Sequence, residues 1–139
     1  MSRVAAAGLI AIALLLVLAA AQAEKPEPKA VGNVTEIMKA MVIPSSNAIW
    51  NVGRNPPAAD AAWEALKSYS VLLGESGNLL LIGGRAKDDE VWRSSSLTMV
   101  EAGALALTAA KAKNVDGIND AGNLIVDACE LCHERHWQR

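Results

Sequence analysis

Residues 114–133 read NVDGINDAGNLIVDACELCH, and the spacing of their apolar members decides the fold class. Ile118, Ala121, Ile125 and Ala128 recur at three- and four-residue intervals, the period of a helix that buries one face. Asn114 stands just ahead of them, with a side-chain oxygen able to accept from the free N–H groups of a first turn. The same spacing returns upstream, and no run of alternating Val, Ile, Thr and aromatic residues marks a strand. The chain reads as all-α.

Punctuation divides the remainder into three more helices. Asn33 with Glu36 forms a capping-box pattern that opens the first, whose apolar side carries Val34, Met38, Met41 and Ile49 and which should end near Gly53. Arg54-Asn55-Pro56-Pro57 reads as a turn, with proline opening a second helix that buries Ala62, Leu66, Tyr69 and Leu73 and stops at Gly83-Gly84. Asp88-Asp89-Glu90 places acidic groups at the start of a third, with Leu97, Val100, Ala104 and Leu107 as its stripe and Lys111 and Lys113 at its close. Connections this short make neighbouring helices antiparallel, so the expected architecture is an up-down-up-down four-helix bundle. Two features strain it. Pro44 inside the first helix crowds the Ala40 carbonyl and predicts a kink, and Gly74 and Gly77 weaken the second helix unless a neighbour packs against their bare backbone.

The chain has 139 residues, 13 basic against 15 acidic, which suits one small domain. A net charge of −2 with no Lys/Arg run excludes a phosphate-binding surface, and with it nucleic acid as a partner. Arg3 precedes an almost unbroken apolar run from Val4 to Ala21, and Ala21-Gln22-Ala23 is the small-x-small pattern of a signal-peptidase site. Residues 1–23 therefore read as a signal peptide cleaved after Ala23, 24–32 as a flexible N-terminal segment and 33–139 as the helical domain. The rival reading is an uncleaved anchor, because about 18 apolar residues just reach the length of a spanning candidate. Nothing after Ala23 is long and apolar enough to insert stably.

Both cysteines stand in Cys129-Glu130-Leu131-Cys132-His133, the C-x-x-C-H pattern of covalent c-type haem attachment. Residues three apart share a helix face, so two sulfurs can each form a thioether while His133 ligates the iron as proximal ligand. A disulfide and a zinc site compete with this reading. A redox C-x-x-C usually opens a helix after a strand, and zinc would find only His136 as a fourth ligand. His136, three residues from His133, cannot reach the opposite side of the ring and reads as a surface histidine. Trp50, Trp63, Trp92 and Trp137 read as core or bundle-end packing. By spacing alone, Met38 and Met41 fill core.

With this C-terminal motif, and with Ile37-Met38-Lys39-Ala40-Met41 in its first helix, the chain resembles the class II c-type cytochromes, the cytochrome c′ and c-556 family. The resemblance implies a four-helix bundle carrying one covalent haem c near its C-terminus. It makes Met38 the candidate distal iron ligand and Met41 a candidate haem-pocket residue. The family's aromatic three residues after the haem histidine is His136 here, its following basic residue is Trp137, and Val34 replaces a basic residue four before Met38. The implied function is electron transfer in the periplasm with other redox proteins as partners, a carrier and not an enzyme. Bundles of this kind often pair, so a homodimer is an alternative to a monomer. A five-coordinate haem binding nitric oxide or carbon monoxide is the rival function, and a haem-free bundle with a Cys129–Cys132 disulfide a third.

Overall fold

The computed structural model describes residues 27–88 and 90–137; the expected signal peptide lies outside them. The described residues form four helices and no strand. The first, α1, passes from Val34–Ile37 through a π-helical segment, Met38–Val42, into Ile43–Asn51. Then follow α2 (Asp60–Leu80), α3 (Val91–Lys111) and α4 (Val115–His136). Each helix packs on its neighbours in sequence, most extensively α2 on α3 and α3 on α4, and α4 closes back onto α1. The result is a helical bundle. No helix among the described residues is long and apolar enough to cross a membrane.

The helix starts follow their caps. Asn33 Oδ1 accepts from Glu36 N at 3.0 Å while Glu36 Oε2 accepts from Asn33 N at 2.7 Å, so two orphan donors are satisfied reciprocally. Asn114 does the same for α4, accepting from Gly117 N. The second helix differs from expectation: Pro56 and Pro57 stay in the connection and the helix begins at Asp60, behind an extended Ala59. It ends at Leu80, and the turn that follows uses Gly84 at φ +79, a left-handed conformation that glycine adopts without strain.

Pro44 bends the backbone differently from a simple kink. A proline has no N–H for the carbonyl four residues earlier. The chain widens in the preceding turn, where Ile43 N bonds to Met38 O, an i to i+5 closure, and regular α-helix resumes behind it.

The buried stripe of α4 is the expected one: Ile118, Ala121, Ile125 and Ala128 are all buried. That of α2 is half the expected one, with Leu66 and Leu73 buried, and that of α3 sits elsewhere on the helix. In α2, Trp63, Leu66, Ser70, Leu73, Gly77 and Leu80 face inward, while Ala62 and Tyr69 are exposed. In α3, Trp92, Met99, Ala102, Ala106 and Ala109 are buried, while Leu97 and Ala104 are exposed and Val100 and Leu107 half-buried. The reason is that these two helices meet through small residues. A Cβ on Gly103 would stand 2.5 Å from Gly74 N and 2.8 Å from Ser70 O, and one on Gly77 would stand 2.6 Å from Ser96 O. Backbone lies on backbone there, so the glycines that weaken α2 as a helix are what let it pack. The buried hydroxyls of Ser70 and Ser76 donate back to Leu66 O and Leu73 O, which lets serine occupy a dry interface.

Two tryptophans fasten helices across the bundle. Trp92 Nε1 donates to Leu80 O at 2.9 Å, using a carbonyl left free at the end of α2. Trp50 Nε1 donates to Gly122 O at 3.0 Å, and the bare Gly122 leaves the space for its ring. This second bond joins α1 to α4, the two helices that carry the candidate ligands.

A cleft between the first and last helices

A cleft of about 1220 Å³ opens beside α1 and the C-terminal half of α4. Met38 reaches it from the π-helical segment, and Cys129 and His133 from α4, one helical turn apart. The apolar pattern of α4 puts them there: the buried line ends at Ala128, and the face continues as half-buried Cys129, Cys132 and His133. Cys132 is half-buried against the core but does not line the cleft. Met41 likewise packs against the core and is absent from the cleft wall. The wall is completed by Val42 and Trp50 of α1, Trp92 of α3 and Trp137 beyond α4.

Both cysteines are free thiols. Burial pushes the Cys129 thiol up from its ordinary value, with a smaller push from Glu130. Burial does the same to Cys132, aided by Cys129 and by the negative charge of Asp88. At neutral pH both are protonated, which makes them poor nucleophiles and slow to oxidise. Among the described residues no three His, Cys, Asp or Glu side chains gather as a closed metal site.

The histidines differ in their support. His133 stands edge-on to Trp137, ring centres 4.6 Å apart, and Trp137 N donates to His133 O. His136 is not at the surface as the sequence suggested. Its side chain is 14% exposed, lines the cleft, and sits edge-on to Trp92 at 5.4 Å. Its Nε2 is 2.9 Å from Asp88 Oδ2 but off line for a hydrogen bond, so this buried nitrogen has no hydrogen-bond partner among the described residues. No residue spacing signals the contact, which depends on the loop before α3 folding back over the end of α4.

Asp88 is held from the other side. Its Oδ1 accepts from Trp92 N at 2.9 Å and Glu90 N at 3.1 Å, capping the start of α3. The Trp92 N–H, followed by the His136 charge, holds its carboxyl below the ordinary 3.8 against a smaller opposing effect of desolvation. A carboxylate with a depressed folded pKa stabilises the fold above its unfolded value and loses that contribution as pH falls through the folded one. Asp88→Ala should therefore have a lower Tm than the parent at pH 7. The gap should persist down to about pH 4 and then close on further acidification, as thermal melts across pH 2 to 7 would record.

Soft sulfur and imidazole donors thus share an apolar, aromatic cleft with three cations, Lys39, Arg85 and Lys87, and no lining carboxylate among the described residues. That combination suits a flat, largely apolar ligand with anionic substituents and a metal that accepts nitrogen and sulfur. No family model, no curated protein and no solved structure matches the chain.

Proposed function

We propose that this chain is an exported c-type cytochrome of the class II kind, an electron carrier of the periplasm that exchanges electrons with other redox proteins. The observation that carries the reading is the cleft, where Cys129 and His133 of a C-x-x-C-H sequence share a wall with Met38 from another helix. The residues fit a haem. A cleft of about 1220 Å³ has room for a macrocycle. Cys129 and Cys132 would hold it by thioethers, His133 as proximal ligand and Met38 as distal ligand. When bound, the haem supplies the one-electron iron couple.

The protein's own part would be to hold the site's walls in place. The Trp50–Gly122 bond ties α1 to α4, so the methionine and histidine walls keep their separation. Trp137 against His133 fixes the imidazole plane. Val42 and Trp92, both buried, would shield one side of a bound group from water, and a low dielectric together with a soft neutral ligand would raise its potential. The short connections fit an up-down-up-down chain path, with α1 and α4 adjacent and the ligands drawn from both.

The spectrum of the mature protein is the test. A ferric low-spin form with a sulfur-to-iron charge-transfer band is expected, and Met38→Ala should turn it high-spin with loss of that band. The gas-binding reading has one observation in its favour: Met38 lies on a π-helical segment, a feature that recurs where helices are adapted to a site and that can open as well as close it. A wild type that is already high-spin and binds carbon monoxide as readily as Met38→Ala would establish that reading instead. A mature protein of unaltered polypeptide mass, made in a host with a working cytochrome c maturation system, would refute both.

A further inference from the structure

Arg85 carries a charge into the bundle that nothing described neutralises. Only 7% exposed, it follows the Gly83-Gly84 turn behind α2 and lines the cleft. Its Nε and one Nη donate to Gly32 O at 3.0 and 2.7 Å, and the other Nη donates to Leu79 O at 2.9 Å. Two backbone carbonyls thus take three donors of a group that has five, and no carboxylate lies within ion-pair distance of it among the described residues. A buried guanidinium satisfied only by carbonyls keeps its full charge, and such a charge is costly unless an anion meets it. Lys87, two residues on, and Lys39 of α1 line the same cleft. In a chain with more acidic than basic groups, the cleft wall has collected three cations and no described acid.

We propose that Arg85, with Lys87 and Lys39, is the carboxylate-binding subsite of the cleft, the place where the two propionates of the bound haem are held. This rests on the haem reading. Arg85 has the geometry for the leading role, because its remaining N–H groups form a planar fork matched to a carboxylate and its other donors already lock the guanidinium in place. The same side chain makes the site ready before it is filled: its bonds to Gly32 O hold the segment ahead of α1 against the α2–α3 loop, so the rim of the cleft is fixed from both sides. Exposed Lys87 and Lys39 add charge at the mouth without that rigidity.

The test uses the full mature holoprotein and three measurements: haem content by intact mass, the propionate bending modes in resonance Raman spectra, and the midpoint potential. Arg85→Lys keeps the charge and loses the fork, so haem should remain attached, the bending mode should move, and the potential should stay near that of the parent. The Lys39→Gln, Lys87→Gln double variant removes charge at exposed positions that place no demand on folding. It should shift the ferrous-to-ferric ratio about tenfold toward ferric at fixed potential, a fall of about 59 mV for a one-electron couple. Lys67→Gln, on the outside of α2 and paired with Glu64, should change none of these. Variants that carry full haem with bending modes and potential equal to the parent's would overturn the subsite and leave the haem reading standing. A parent that carries no haem would overturn both.

Discussion

Replacing both Cys129 and Cys132 by serine should abolish the proposed covalent haem attachment, lowering the mature mass by that of one haem, while either single replacement should leave a weaker, one-point attachment. Each thiol would add its S–H across one vinyl double bond, forming a C–S and a C–H bond with no net oxidation, and a hydroxyl would not substitute for it. The folded site keeps the thiols reduced rather than activating them. The two thiols are half-buried and their pKa values are raised, so they resist premature pairing as a disulfide in an oxidising compartment. Serine has nearly the same shape, so circular dichroism of the double variant should show the parent's helix content. Intact mass spectrometry of the three variants beside the parent decides the matter. Full haem retention in the double variant would remove the cysteines from the site.

The second large effect is on stability. Gly103→Ala should lower it by about 3 kcal/mol and depress Tm on the order of 10 °C. The added methyl would sit 2.5 and 2.6 Å from Gly74 N and Cα and 2.8 Å from Ser70 O. All three are backbone atoms, which cannot swing aside as a side chain would, so α2 and α3 must separate along the most extensive contact in the bundle. The gain of about 1 kcal/mol from alanine's helix propensity does not offset that. Gly74→Ala is the informative partner, although the two glycines face each other. Its methyl would meet nothing nearer than Val100 O at 3.6 Å, ordinary contact, so it should be neutral or stabilising. Equal losses in the two variants would show that α2 and α3 are not seated as described.

These glycines also show why part of the fold was legible in the sequence and part was not. Caps are local, so Asn33, Glu36 and Asn114 could be read from residues three apart. The α4 stripe was legible because it is a conventional line of Ile and Ala. Leu66 and Leu73 of α2 were legible in the same way, but Tyr69 and the α3 stripe were misplaced because counting large apolar residues favours Tyr69 and Leu97, whereas the contact is made by Gly74, Gly77, Gly103 and buried serines. Nothing in the pattern says that a serine will bond to its own helix and turn its small bulk inward. The candidate site divides the same way. Cys129, Cys132 and His133 announce themselves by spacing, and Met38 enters through resemblance to a family. Arg85, Asp88 and His136 become visible only when the loop between α2 and α3 is placed over the end of α4.

The widened turn at Met38–Val42 has a consequence for how this first helix can vary. An i to i+5 closure encloses one residue more than an α-helical turn does, so the chain here behaves as though it carried a one-residue insertion. Successive residues of an α-helix are separated by about 100° around the axis, and the extra residue resets the phase of everything upstream relative to everything downstream. Ile49 and Val52 can therefore point into the core while Met38 points into the cleft. Removing one residue between Lys39 and Val42 would undo that reset, carrying Met38 about a quarter-turn off the cleft wall with methionine still in the sequence and setting the Pro44 ring against the carbonyl four residues earlier. Two chains that differ here by one residue would align without difficulty and yet present different groups to the cleft.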